Sequence, residues 1–511
     1  MSSIQEVSKV QALQGRGVIS PWPLIILAGL ALVVRFHGIT VPVIWYDESY
    51  SLLLSERSPA SIWFATAVDV HPPLYYVLLH YWMLLFGNGV AAVRGLSAVA
   101  DVGALLLSVK LMSLVATQRA AFIAGLLLVL LPISVRYSQE ARMYTLLGFW
   151  LMAATVSLVS WVRQPHCMRY PVMYVVLMTA AFYTHYFAAL CVPVHWLYWS
   201  GAGSGRPAAL AWRRWLSVNV AIVILYLPWL PHLVGQSVRM KGLEWISPTT
   251  WNMLPELVSR FVAMASPPGG RTWVASVILA LMIICATQAV RYGRIDRRSA
   301  LLIVAYFFLP VVTVFVSSWA KPIFVPRYFV FAAVGLPLIV ALALDGLAMR
   351  RPVLASMCLS VFIAGEVHGL IKVFTQCDGL NGTYERNMIR PDILADGIKQ
   401  QLQAGDEIIV DGPFWYLPFS YYNNTGIEPR IYVGRMEVPH VLGGGALIPQ
   451  RLDWTFSIDD ALTSRPRNRV WWVTGEPDPQ GPISFPSGWR QILTLKGGDL
   501  EALLFVRGNE P

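Results

Sequence analysis

HPPLYYVLLHYWMLLFG, residues 71–87, decides how the rest of the chain is threaded. Read as a membrane span, it would throw every later loop to the opposite side. From Pro72 to Phe86 it has 15 residues, about 22 Å as a helix, which is short for a hydrocarbon core of about 30 Å. Leu74, Val77, Leu78, Tyr81, Leu84 and Leu85 form one apolar stripe at helical spacing. The remainder is rich in Tyr, Trp and His, the residues of the membrane–water interface. The stretch reads as a helix over 72–86 lying along the outer membrane surface, inside a first external loop of about 41–91.

Around it, the chain of 511 residues is 56% hydrophobic and only 13% charged, with mean hydropathy +0.54. A soluble surface of this size needs far more charge, so the chain reads as a polytopic α-helical membrane protein. About eleven spans are expected, near 22–40, 92–113, 119–135, 142–162, 171–184, 186–201, 214–234, 272–290, 300–319, 328–348 and 353–372. The polar stretch Met1–Ser20 carries no small-residue cleavage site, so the first run reads as a retained anchor. The net charge of +10 forms no patch for nucleic acid. It sits in short loops: Lys110/Arg119, Arg163/Arg169, Arg206/Arg213/Arg214, Arg291/Arg294/Arg297/Arg298 and Arg350/Arg351. All fall on the side of the N-terminus, which is therefore expected in the cytoplasm, with the C-terminus outside. The five cysteines show neither metal-ligand spacing nor a disulfide framework.

From Gln376 the character changes. GDEIIVDG and RVWWVT read as buried strands, RPDILADGIKQQLQ as an amphipathic helix, and WRQILTLKGGDLEALLFVRG as a hairpin turning at Gly497-Gly498. The expected organisation is a membrane domain over 1–375 and an extracytoplasmic α/β domain over 376–511. Asn381-Gly382-Thr383 and Asn423-Asn424-Thr425 match glycosylation acceptors, a pattern common by chance.

The charges of the external loops need a reason, because such loops are poor in Lys and Arg. They are Asp47 and Glu48, Asp69 with His71, Arg136 with Glu140 and Arg142, His185 in a tight turn, and Lys321 with Arg327. Singly, each reads as a snorkelling chain or local ion pair. Several converging at one face read as a polar or anionic-ligand site. Asp47 alone could cap a helix starting at Glu48, with Trp45, Tyr46 and Tyr50 as an interfacial belt. Arg35 reads as snorkelling, and Arg94 with Asp101, seven apart on one helical face, as a structural pair. There is no phosphate-binding G-x-x-x-x-G-K-[ST] loop, no strand–GxGxxG–helix unit and no G-x-S-x-G, and Gly443–Gly445 opens no predicted helix.

In order along the chain stand Arg35-Phe36-His37-Gly38 closing the first span, WYDES, HPPLYY with LFG, RYSQEARMY, and VPRYF opening a late span. This series resembles the GT-C glycosyltransferase superfamily over about 22–348, with likeness to protein O-mannosyltransferases, lipid A aminoarabinose transferases and Rgt-type lipopolysaccharide-core transferases. HPPLY departs from the aminoarabinose transferases, which have a lysine before the proline, and RYSQEAR from the Asp-containing segment of those enzymes and the mannosyltransferases.

The resemblance implies an inverting transfer of a sugar from a polyprenyl phosphate to an acceptor hydroxyl of a glycan, lipid or protein, on the outer face of the cytoplasmic membrane. It maps the acidic catalytic residue of the first external loop onto Asp47, a carboxylate that can serve as the base, with Glu48 beside it as the second catalytic candidate. Arg327 with Tyr328, Arg136 or Arg142, and Lys321 are the candidates for the donor phosphate. His71, Glu140, His185 and Tyr186 are the candidates for substrate contact, with Glu140 orienting either Arg142 or the acceptor. A divalent metal stays open, without ligand spacing to support it. A flippase or transporter of lipid-linked sugars is the competing class, for which Glu366 and His368 in the last span speak. A receptor with an external sensing domain would not need so many spans.

Overall fold

A computed structural model describes residues 21–201, 212–239, 246–265, 272–380, 383–432, 447, 454–455, 468–475 and 485–508. Met1–Ser20, Arg206, Asn381-Gly382 and Gly443–Gly445 lie outside the described residues. In chain order the helical part runs α1 (Pro21–Phe36), α2 (Tyr46–Ser55), α3 (Pro59–Ala67), α4 (Leu74–Phe86), α5 (Val90–Val115), α6 (Gln118–Leu130), α7 (Pro132–Ser138), α8 (Tyr144–Arg163) and α9 (Arg169–Thr184). It continues with α10 (Cys191–Ser200), α11 (Trp212–Tyr226), α12 (Leu230–Arg239), α13 (Met253–Ala263), α14 (Thr272–Tyr292), α15 (Arg297–Ser317), α16 (Val330–Ala333), α17 (Gly335–Ala348) and α18 (Pro352–Phe374).

Among the described residues, α5, α8, α14, α15 and α18 are the five helices long and apolar enough to cross a membrane. The number is eight if each bent pair is one span: α6–α7 at 54°, α11–α12 at 69° and α16–α17 at 40°. Every expected span falls on one of these helices or pairs or on α1, α9 or α10. Those three have only 16, 16 and 10 residues, so the count of eleven is not reached by length. Pro132 causes the first bend: it opens α7 and forces Leu131 to φ −56°, ψ 108°, outside the helical region.

The stretch 71–87 forms the 13-residue helix α4, stopped by Gly87 at φ +83°. Its buried face is Tyr75, Tyr76, Leu79 and Met83, while Tyr81, Leu84, Leu85 and Phe86 are exposed. Tyr75 and Tyr76, expected at an interface, are therefore core, while Tyr81, Leu84 and Leu85 of the apolar stripe face outward. At one end of the bundle, Arg119 donates to Asp345 at 2.6 Å and Arg294 lies 3.9 Å from the same carboxylate. Two of the basic loops thus meet beside a third, Arg350/Arg351, which follows α17.

At the other end sits a six-stranded sheet: β1 (Glu407–Asp411), β2 (Arg430–Tyr432), β3 (Trp454–Thr455), β4 (Arg469–Gly475), β5 (Trp489–Gly497) and β6 (Leu500–Arg507), in the order β3-β2-β1-β4-β6-β5. The first four pair in parallel, and β6 runs antiparallel to both β4 and β5. β1 and β4 are central, which explains their unbroken apolar runs. Helices α19 (Thr383–Met388), α20 (Pro391–Gln401) and α21 (Pro413–Tyr422) accompany the sheet. The β5–β6 turn presses on the chain before α20: the Arg390 N–H donates to the Gly497 carbonyl and the Asp499 N–H to that of Met388. A Cβ on Gly498, which sits at φ +67°, would overlap the Met388 carbonyl, so glycine is required there.

Candidate functional site

Helix α2 is where the sheet domain meets the bundle. The Ile44 N–H donates to the Tyr422 hydroxyl at 2.8 Å, and the Tyr46 ring stacks on Phe414 at 5.4 Å. Trp45 precedes the helix in an extended conformation, and Trp45 and Tyr50 are buried. They form no interfacial belt, and Asp47 lies inside the first turn instead of capping it. Successive residues of a helix point about 100° apart. Asp47 and Glu48 therefore look into different surroundings, each favoured near the helix N-terminus.

Asp47 faces an open cluster. Its Oδ2 accepts from Arg327 at 2.8 Å, and its side chain keeps 20% exposure. Arg142 donates to the Asp47 carbonyl at 3.2 Å and to Ser51 Oγ at 3.1 Å. His71 Nδ1 lies 3.8 Å from Asp69 Oδ2, and the His71 ring is 5.8 Å from that of His185. Tyr328 packs edge-on against Phe187 and tilted against His185 and Tyr144. Burial pushes the Asp47 carboxyl up, but Arg327, then Arg142 and His71, outweigh it and hold the group below the usual carboxylate range. Burial drives the His71 imidazole below its ordinary value, which leaves it neutral near pH 7.

Glu48 faces a closed network. Arg94 grips it bidentately, Nε to Oε1 at 2.8 Å and a second nitrogen to Oε2 at 2.7 Å, while the Ala141 N–H reaches Oε1 at 2.8 Å. The rest of Arg94 binds the carbonyls of Ile39, Pro42 and Val43, which fixes the turn into α2. One nitrogen of Arg386, from α19, bridges Oε2 of Glu48 at 3.2 Å and Oε2 of Glu140 at 3.0 Å. Arg136 completes the set, with Glu140 at 2.7 Å and Asp378 at 3.0 Å. All six side chains are buried. Burial raises the Glu48 carboxyl, yet Arg94 and Arg386 bring it down to about 2.

The remaining sequence candidates divide between these surroundings and others. Lys321 is exposed. The Tyr186 hydroxyl donates to Gln236 and accepts from Trp229, bracing α12 against the end of α3. His185 caps the turn between α9 and α10 by accepting from the Phe187 N–H. Arg94 and Asp101 do not pair: Arg94 takes Glu48, while Asp101 takes Arg35 at 2.7 Å and Ser134. Arg35 is wholly buried, with two further bonds to the carbonyls of Val129 and Leu128, and so does not snorkel. Arg386 and Asp378 escaped notice because they follow the last span. The buried arginine of RPDIL's upstream neighbour TYERNM has no periodic signal to mark it.

Arg327 also lines a cavity of about 250 Å³, together with Tyr137, Phe324, Glu256 and Arg260 among others. Amphipathic α13, which no expected span covers, supplies the last two. Among the described residues, no three of His, Cys, Asp and Glu are grouped to hold a metal, and the exposed carboxylate is engaged by a guanidinium. The donor set does not fit a metal ion, and no step below runs through one.

A membrane helix bundle with a polar layer at its helix ends, joined to a small α/β domain, is a fold this chain shares with solved structures. It is similar to the crystal structure of ArnT from Cupriavidus metallidurans in the apo state, with TM-score 0.66 and 14% identity over 94% of this chain and 97% of that one. Against ArnT bound to undecaprenyl phosphate the TM-score is 0.62 at 16% identity, over 95% and 98%. Against the Archaeoglobus fulgidus oligosaccharyltransferase in complex with Zn and sulfate it is 0.51 at 15%, over 80% and 62%. No family model and no curated protein matches the sequence. At these identities the likeness is one of fold.

Proposed function

We propose that the protein is an inverting membrane glycosyltransferase that moves a sugar from a polyprenyl phosphate to an acceptor hydroxyl. Its membrane part, 1–375, would work with the 376–511 domain on the outer face of the cytoplasmic membrane, the N-terminus being cytoplasmic. The observation that carries this reading is the Asp47–Arg327 pair, a partly exposed carboxylate on a guanidinium that also lines a cavity. The fold it shares with an ArnT bound to undecaprenyl phosphate supports a lipid-phosphate donor.

The chemistry follows from charge. Asp47 takes the proton of the acceptor hydroxyl as its oxygen bonds to the anomeric carbon. The bond from that carbon to the phosphate oxygen breaks in the same displacement, which inverts the centre. The departing polyprenyl phosphate keeps the electron pair, and Arg327 and Arg142 hold the anion. At 2.8 Å the resting pair leaves no room for the reacting atoms between base and cation. Donor arrival therefore exchanges Asp47 for phosphate on Arg327. Asp47, released from the cation but still partly buried, becomes the stronger base. His71 and Tyr328 both pack on His185 next to this pair. Glu48, Glu140 and Arg136, all enclosed in ion pairs, act as scaffold. A transporter would need its polar groups at mid-bilayer, whereas Asp47, Arg142, His185 and Arg327 all lie at or just beyond helix ends.

The test is transfer from a purified polyprenyl-phosphate-linked sugar by full-length protein in nanodiscs, with donor binding measured alongside. Asp47→Asn should cut the rate by about 10²–10⁴ while donor binding survives. Full transfer by that variant would sink the assignment.

A further inference from the structure

We infer that Arg386, contributed by α19 beyond the last long helix, is a positioning residue for the Asp47 carboxylate and acts by balancing charge between Glu48 and Glu140. The inference rests on the reading of Asp47 as the base. Three carboxylates, Glu48, Glu140 and Asp378, face three guanidiniums, Arg94, Arg136 and Arg386, and all are buried. Arg94 is fully used by Glu48 and the carbonyls of 39–43. Arg136 is shared between Glu140 and Asp378. The two oxygens that meet at the single Arg386 nitrogen are the Oε2 atoms of Glu48 and Glu140, at 3.2 and 3.0 Å.

Removing that nitrogen leaves two buried carboxylates facing each other across an empty site, a costly arrangement. Either one takes up a proton or the segments carrying them move apart. Both segments end at the reaction centre. Glu48 is the next residue after Asp47 in the first turn of α2. Glu140 is two residues before Arg142, whose guanidinium holds the Asp47 carbonyl. The Ala141 N–H between them is bonded to Glu48. Arg386 thus clamps the base and one of its phosphate-binding partners from outside the helix bundle. A side-chain displacement near 1 Å at a reacting group is enough to slow it about 100-fold.

The experiment compares full-length wild type, Arg386→Met, Arg386→Lys and the double variant Arg386→Met/Glu140→Gln in nanodiscs. Arg386→Met should lower kcat about 100-fold with the donor KM changed far less, because Arg327, outside the clamped segments, keeps its phosphate contact. Arg386→Lys, whose ammonium can bridge both oxygens, should recover part of the loss. The double variant should recover most of it, since two guanidiniums then face two carboxylates. Amide hydrogen exchange should rise at residues 44–52 and 140–142 in Arg386→Met and fall back in the double variant. Wild-type kcat in Arg386→Met overturns the inference. So does a double variant that melts like wild type yet is as slow as the single one. Should Arg386→Met fail to fold, the same kcat and KM comparison is read from Arg386→Lys. A wild type that transfers no sugar fails the functional reading instead, and the exchange data then decide on positioning alone: unchanged protection in Arg386→Met overturns it.

Discussion

Asp47 and Glu48 share a peptide bond, but only one of them is enclosed. Asp47 keeps 20% of its side chain exposed and has one guanidinium on Oδ2. Glu48 has none exposed and fills its oxygens with two guanidiniums and a backbone N–H. The helical rotation between neighbours separates the two tasks. A base needs an oxygen that can exchange its partner for a proton, so its ion pair must be breakable. An anchor needs every lone pair satisfied, so its ion pairs must not open. One turn of helix places an exchangeable carboxylate beside a fixed one, and the fixed one aims the other.

The strongest way to break this comparison is on the enclosed side. Arg94→Met leaves Glu48 with a lost bidentate partner and frees the 39–43 turn; it should destabilise the protein by about 3–5 kcal/mol, read as a large fall in the thermal midpoint in detergent. Asp47→Asn should leave that midpoint almost unmoved. Equal melting of the two variants would erase the distinction between them.

Next in size is Arg327→Met. Loss of a charge-assisted contact should weaken binding of undecaprenyl phosphate by about 10–100-fold, the equivalent of roughly 1.5–3 kcal/mol. The pH profile gives the sign a second check. In the wild type, Asp47 lies below its ordinary value of 3.8, so the acid limb of kcat/KM belongs below that pH. Without the Arg327 charge, burial is opposed less and the limb should move up in pH. A downward move would contradict the assignment.

A smaller effect concerns acid stability. The Glu48 carboxyl is depressed from 4.5 to about 2 in the folded protein. Its contribution is therefore complete above about pH 4.5 and lost as pH falls towards 2. Denaturant titrations across that window should show stability falling, and Glu48→Gln should flatten the slope. The smallest effect belongs to Lys321→Met: an exposed side chain should change stability by less than about 0.5 kcal/mol, and donor affinity very little.

Much of the fold is legible in the sequence because it follows from period and length. Each expected span meets a helix or a bent pair, 72–86 is a short helix, and the Gly497-Gly498 turn is where the hairpin reverses. The direction of side chains is not legible in the same way. Leu84 and Leu85 face outward, as a surface-lying helix leads one to expect, but Tyr75 and Tyr76, expected at the interface, face the core, since several apolar residues compete for each face. The site is half legible. Asp47, Arg142 and Arg327 stand in motifs, and the chain brings them together. Arg386 meets Glu48 across 338 residues of sequence, and no local pattern encodes such a contact. The pairing of Arg94 with Glu48 and of Arg35 with Asp101 likewise depends on which helices become neighbours.

The tight seat of Gly498 on the Met388 carbonyl has a consequence for biogenesis. The turn that clasps 388–390, just after Arg386, follows every helix of the bundle along the chain. The segments that carry Asp47, Arg142 and Arg327 all leave the ribosome earlier. A nascent chain can therefore insert every span and still lack the latch on the Arg386 segment. On the positioning role proposed for Arg386, the clamp would form only as a post-insertion maturation step, and a stop codon before Trp489 should yield a membrane-inserted protein with the Arg386 segment untethered.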